Sequence, residues 1–99
     1  MEFRKWDIDF DGCYCDPSEL RDAPGVWVVW RRYGLIWSVV DMGDAADVRD
    51  AASSFTPPPG SQKRPGVLMF AAVYTGDDPT QRRAMLEHIH RNALPLLVS

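Results

Sequence analysis

Residues 41–55, with the sequence DMGDAADVRDAASSF, directly follow the apolar run LIWSVV of residues 35–40. This run is rich in β-branched and aromatic residues, which is typical of a strand, and Gly43 marks a turn after it. Apolar side chains then recur every three or four residues, which predicts a short helix capped by Asp44 or Gly43. Its buried stripe consists of Ala45, Val48, Ala52 and Phe55. A strand, a turn and a helix together form a common support for a polar site.

Two other apolar runs predict the strands beside this unit. Residues 25–30 (GVWVVW) are joined to residues 35–40 by a short segment that contains Gly34, and this arrangement is typical of a β-hairpin. Residues 67–74 (VLMFAAVY) are apolar throughout, which predicts a third strand buried on both faces.

A second helix is predicted after residue 78. Asp78 suits the N-cap and Pro79 the first helical position, and the helix runs to about Asn92 before Pro95 ends it. Its buried stripe consists of Met85, Leu86, Ile89 and Ala93. Residues 56–66 contain four of the eight prolines and predict a loop, either functional or a simple connection.

The first 22 residues are interpreted as a separate leading segment. Trp6, Ile8 and Phe10 alternate with aspartates, which predicts a half-buried strand or an extended arm. A chain of 99 residues suits one domain, so we expect an arm or strand at residues 1–22 and a globular domain at residues 23–99. The expected fold class is α/β in the α+β sense, with a small three-stranded, mainly antiparallel sheet flanked by helices.

The overall charge limits the classes of partner. A net charge of −3 and an isoelectric point of about 5.2 disfavour tight, nonspecific binding of nucleic acid. The basic pairs of the chain indicate either solvated surfaces or a local patch; they are Arg31-Arg32, Lys63-Arg64 and Arg82-Arg83. With no long apolar run and no apolar signal-peptide core, we expect a cytoplasmic protein without a membrane span.

The cysteines and histidines allow two interpretations. Cys13 and Cys15, together with His88 and His90, could supply four ligands to a zinc site, although the cysteine spacing is shorter than that of most structural sites. The alternative, which the spacing favours, is a pair of free thiols in a reducing compartment.

The order and spacing of these motifs over roughly residues 23–95 resemble the GIY-YIG nuclease family. Pro24-Gly25-Val26-Trp27 is similar to the first motif, with Trp27 where tyrosine is expected. Asp41-Met42-Gly43 is similar to the second, with Asp41 in place of tyrosine, and Asp47-Val48 to the start of the following helix. The third strand and its end, FAAVYT, are similar to uncharacterised members whose second motif is Asp-x-Gly.

The resemblance implies four site residues, which are positional counterparts or substitutes for the family's catalytic groups: Trp27, Asp41, Arg49 and Glu87. In the family, tyrosines orient the attacking water, an arginine stabilises the phosphate and a glutamate holds a divalent ion. Ala51 stands where the arginine is expected, and Arg49 is the nearest replacement. Mg²⁺ or another divalent metal would bind Glu87, with Asp41 as a second ligand. The alternative for Glu87 is a surface salt bridge to Arg83 or Arg91.

These departures predict impaired chemistry, because phosphodiester hydrolysis depends on stabilising the developing charge. The expected function is a degenerate, catalytically impaired domain that acts as a binding or interaction module with an unknown protein or DNA partner. The alternative is an active, divalent-metal-dependent endonuclease that cleaves DNA phosphodiesters with rearranged residues. A third hypothesis is self-association through tryptophans 27, 30 and 37, which the competing interpretation places in the core.

Overall fold

The computed structural model describes residues 2–57 and 65–93, and these contain five strands, two α-helices and one short 3₁₀ helix. Most of the predicted loop at residues 56–66, the Lys63-Arg64 pair and Pro95 lie outside the described residues. The elements are β1 (Glu2–Lys5), β2 (Ile8–Tyr14), the 3₁₀ helix (Pro17–Glu19), β3 (Gly25–Tyr33), β4 (Ile36–Ala45), α1 (Val48–Ser53), β5 (Val67–Tyr74) and α2 (Pro79–Ala93).

All five described strands form one antiparallel sheet in the order β1-β2-β5-β3-β4. The predicted α+β class is confirmed, but the predicted count of three strands is wrong. The segment interpreted as a leading arm supplies β1 and β2, and β2 pairs with β5 through Asp11 opposite Ala72 and Tyr14 opposite Phe70. The apolar strand β5 offers two hydrogen-bonding edges; β3 pairs with one of them and β2 with the other.

Strand β3 lies between β5 and β4 and is apolar on both faces. Val26, Val28 and Trp30 join a buried cluster with Ile89 and Ala93 of α2, so we call this side of the sheet the α2 face. Trp27 and Val29 pack on the other side with Val48 and Ala52 of α1, and we call that side the α1 face. The two helices therefore cover opposite faces, which the doubly apolar strand requires.

The long helix forms where its caps predict it. The carboxylate of Asp78 accepts a hydrogen bond from the backbone N–H of Thr80 at 2.9 Å, which satisfies one of the free donors at the start of α2. Ile89 and Ala93 of the predicted stripe are buried, and Met85 and Leu86 pack against the same cluster.

The region around Gly43 differs from the prediction. Strand β4 does not end in a turn there but continues to Ala45, which pairs with Gly25 at the start of β3. The helix consequently begins later, and its cap is Asp47, whose carboxylate accepts the N–H of Asp50 at 3.0 Å. The predicted caps were wrong because pairing with β3 holds both residues in the strand.

Close packing across the strand pair explains the glycine at position 43. A Cβ at Gly43 would lie 2.7 Å from the Cζ2 atom of Trp27, nearer than real Cβ contacts allow. The indole of Trp27 therefore occupies the space that a side chain at position 43 would need.

We predict that Gly43→Ala lowers the free energy of unfolding by about 1–3 kcal/mol, because the new methyl group forces the indole of Trp27 to move. Gly76→Ala is the matched control, since its Cβ would make only an ordinary contact of 3.4 Å with Gln81, and we expect a change within about 0.5 kcal/mol. Urea unfolding of both variants measures the difference. Equal stability of the two variants would contradict the packing role.

Candidate functional site

Trp27 stands where the first motif of the nuclease family has a tyrosine, and it packs on the α1 face. Its ring lies 6.4 Å from that of Phe55, and it is half-buried against the cluster that contains Val48 and Ala52. A tryptophan here supplies apolar area and has no hydroxyl with which to orient water.

Asp41 lies on the exposed edge strand β4, and its cross-strand partner is Val29. Directly paired residues point to the same side of a sheet, and Val29 packs on the α1 face, so Asp41 belongs to that face as well. One oxygen of its carboxylate accepts the backbone N–H of Met42 at 2.8 Å.

Arg49 is held on α1 by an ion pair whose guanidinium nitrogen lies 3.1 Å from the carboxylate of Asp22. Both side chains are substantially exposed, so the pair contributes little stability. Its effect is to direct the guanidinium toward the segment that precedes β3.

Glu87 lies on the other side of the sheet. It is exposed on α2 and lines two shallow hollows, one of about 390 Å³ that it shares with Met42 and His90, and one of about 250 Å³ beside Thr80. In the described parts of the chain no ion pair joins it to Arg83 or Arg91, so the salt-bridge alternative is not observed.

The sheet thus separates the four positions that the nuclease resemblance implies. Trp27, Asp41 and Arg49 belong to the α1 side, whereas Glu87 sits on the helix that covers the α2 face. Within residues 2–57 and 65–93, no three side chains of the metal-binding types come together, and this includes the set of Cys13, Cys15, His88 and His90.

A polar cluster that the sequence did not reveal lies on the α1 face. Asp11 of β2 accepts hydrogen bonds from the hydroxyl of Tyr14, at 2.5 Å, and from the hydroxyl of Tyr74 on β5. The oxygen of Tyr74 also accepts the backbone N–H of Arg21 at 2.9 Å, and the guanidinium of Arg21 lies 5.1 Å from the ring centroid of Tyr74. These contacts connect β2, β5 and the segment after the 3₁₀ helix.

The cluster keeps both phenols protonated. The hydrogen bond to Asp11 and burial raise the pKa of Tyr14 to about 12. Burial, followed by the hydrogen bond to Asp11, raises the pKa of Tyr74 to about 12. A phenol with a pKa of about 12 stays protonated at neutral pH and so cannot accept a proton there, which suits the cluster to structural support better than to proton abstraction.

A concave surface of about 440 Å³ lies on the α2 face, and we call it the concave groove. All five strands contribute to its lining, which consists of Glu2, Phe3, Arg4, Lys5, Gly12, Cys13, Trp30, Arg32, Trp37 and Met69. Burial raises the pKa of the Cys13 thiol to about 11, which favours the protonated thiol over the nucleophilic thiolate at neutral pH.

The two basic pairs within residues 2–57 and 65–93 differ in their surroundings. Arg31 and Arg32 are adjacent in β3 and so point to opposite faces. Arg82 is largely buried and lies 3.7 Å from the carboxylate of Asp44. Only Arg32 among these residues lines the concave groove.

A scan against protein-family models and searches of curated proteins and solved structures each returned no match. The resemblance to the nuclease family stays a prediction. Of the helices in the described ranges, none is long and apolar enough to cross a membrane.

We predict that stability falls as the pH rises through the range in which the two tyrosines titrate. Their pKa values are near 10 in the unfolded chain and about 12 in the fold, so their contribution is complete below pH 10 and is lost between pH 10 and 12. Urea unfolding across this range should show a steeper loss for the original chain than for the double variant Tyr14→Phe, Tyr74→Phe.

The raised pKa of the Cys13 thiol also lowers the free energy of unfolding as the pH rises. Both proteins contain Cys13, so this contribution cancels when their stabilities are compared. Parallel stability curves for the original chain and the double variant would contradict the role assigned to the Asp11 cluster.

Proposed function

We propose that this chain is a binding module on a nuclease-like scaffold and that it does not catalyse phosphodiester cleavage efficiently. The observation that carries the proposal is the separation of Glu87 from Trp27 and Asp41 by the sheet. A metal-assisted hydrolysis needs its ion, its water-orienting group and its phosphate-binding cation around one reacting atom.

The local surroundings of the site residues support the same proposal. Trp27 fills space against Gly43 and Phe55, and Arg49 is engaged by Asp22. Met42 and Leu86 line the hollow beside Glu87, and their side chains offer no oxygen ligand to a hard cation such as Mg²⁺. Asp41 would have to act from the opposite face to join Glu87 at one ion.

The concave groove is the surface that we assign to binding. Its volume exceeds those of the two hollows beside Glu87, and it combines aromatic rings with basic side chains. Surfaces that join apolar lining to a few polar groups are typical of ligand sites in proteins. The proposed partner is a molecule that docks on the α2 side of the sheet. The proposal allows either a protein or DNA as this partner.

The proposed location is the cytoplasm, where thiols stay reduced. Cys13 and Cys15 are both free, which is compatible with that compartment. The alternative of self-association through tryptophans has less support. Trp30 is only 1% exposed, and Trp27 and Trp37 pack against the two buried clusters, as the core interpretation predicted.

We predict that the purified chain shows no Glu87-dependent nicking of supercoiled plasmid DNA in the presence of Mg²⁺ or Mn²⁺. The test compares the original chain with Glu87→Gln and with Glu19→Gln, a control carboxylate exposed elsewhere on the surface. Both variants should keep their stability within about 0.5 kcal/mol, because both residues are exposed.

Any residual nicking should be equal in the original chain, Glu87→Gln and Glu19→Gln. Equal rates would indicate that the nicking comes from a contaminant. Nicking that is abolished by Glu87→Gln and retained in Glu19→Gln would overturn the proposal and support the active endonuclease.

A further inference from the structure

The concave groove contains two cations that are not neutralised by carboxylates. The ammonium of Lys5 lies 5.4 Å from the ring centroid of Trp6 and 5.8 Å from that of Trp30. The guanidinium of Arg32 lies 5.8 Å from the ring centroid of Trp37. Neither cation has an ion-pair partner within the described ranges, whereas Arg4, which also lines the groove, lies 3.0 Å from Asp9.

These cations create a local charge opposite to that of the molecule. The chain carries a net charge of −3, but the groove, apart from the Arg4–Asp9 ion pair, has two basic side chains, Lys5 and Arg32, and one carboxylate, Glu2. A concave surface with low-dielectric walls concentrates the field of such charges and attracts a small anion. The ligand therefore carries negative charge.

The remaining lining selects a flat ring. Phe3 on β1 and Trp37 on β4 are half-buried, so part of each ring is open to the groove, whereas Trp30 is only 1% exposed and is not available for stacking. Aromatic side chains bind planar ligands by stacking, and the strength of this contact depends little on which ring is bound. The indole N–H of Trp30 is buried and has no acceptor in the described structure, so an acceptor on a ligand would satisfy it.

Size and backbone geometry narrow the class further. A volume of about 440 Å³ falls within the usual range for small-molecule sites. The lining residues are strand residues whose backbone hydrogen bonds are directed along the sheet, so an extended peptide would find few backbone partners in the groove. A compact ligand that carries a ring and an anionic group fits this surface better than a peptide.

We infer that the concave groove binds a free nucleotide, with the base stacked on one of the two half-buried rings, Trp37 or Phe3, and the phosphate at Lys5 and Arg32. The inference rests on the proposed function and names the ligand class of that same surface. A longer nucleic acid presents the same chemistry, but the acidic remainder of the protein repels a long polyanion. A single nucleotide avoids this repulsion.

The test is a titration of the whole chain with adenosine monophosphate, followed by tryptophan fluorescence and calorimetry. We expect saturable binding that weakens about tenfold in Arg32→Gln and in Lys5→Gln, because each substitution removes a charge-assisted contact to the phosphate. Arg31→Gln is the matched control, since it removes the same charge from the adjacent residue on the opposite face, and its affinity should stay within about twofold.

Adenosine and inorganic phosphate, titrated separately, should each bind at least about tenfold more weakly than the nucleotide, because each offers one half of the contacts. Absence of saturable binding at millimolar nucleotide, or equal losses in Arg31→Gln and Arg32→Gln, would overturn the inference. Tighter binding of single-stranded oligothymidylate or of an acidic peptide than of the nucleotide would also overturn it, and would identify that molecule as the ligand.

The outcome is distinguishable from that of the proposed function. If the chain neither binds the nucleotide nor nicks plasmid DNA, this inference fails while the non-catalytic proposal stands. If nicking depends on Glu87, the proposed function fails whatever the nucleotide titration shows.

Discussion

Burial of both faces of strand β3 is the constraint on which the rest of the structure depends. Its side chains alternate between two hydrophobic clusters, one on each face of the sheet, and each cluster contains fully buried residues. The sheet alone cannot shield both clusters from water. One helix is therefore required on each side of the sheet, and the chain supplies α1 to one side and α2 to the other. A residue on α1 or α2 therefore lies on the side of the sheet that its helix covers.

The functional proposals follow from that division. A residue on α2 and a residue that packs with α1 are separated by the thickness of the sheet, so the positions implied by the nuclease resemblance do not meet around one reacting atom. The face that α2 covers only in part leaves the concave groove, in which Lys5 and Arg32 lie over indole rings. The proposed binding surface and the separation of Glu87 from Trp27 and Asp41 thus have the same structural origin.

The sequence predicted the features that depend on neighbours along the chain. The three apolar runs form strands, and Asp78 caps α2, because these preferences are set within a few residues. Gly43 was misinterpreted as a turn because its role is to make room for Trp27 on the neighbouring strand. Strands β1 and β2 were missed as sheet members for a similar reason, since their pairing with β5 joins distant parts of the chain.

The candidate site shows the same limit. The hydrogen bond between Tyr74 and Asp11 spans 63 residues, and no periodicity or motif in the sequence connects the two. The groove likewise combines side chains of five strands, so its lining becomes visible only when the strand order is known. Trp27, Asp41 and Ala51 predicted impaired chemistry from the sequence alone, but the separation of Asp41 from Glu87 became visible only in the fold.

Paramagnetic relaxation by Mn²⁺ in an NMR spectrum of the labelled chain tests this separation most directly. The ion broadens the signals of nearby amides, so a shared site would affect the amides of Asp41 and Glu87 at the same low concentration. Because the sheet separates the two positions, we expect that the two regions do not broaden together and that Glu87→Gln leaves the signals around Asp41 unchanged. Simultaneous broadening of both regions, abolished by Glu87→Gln, would show a common metal site and contradict the account.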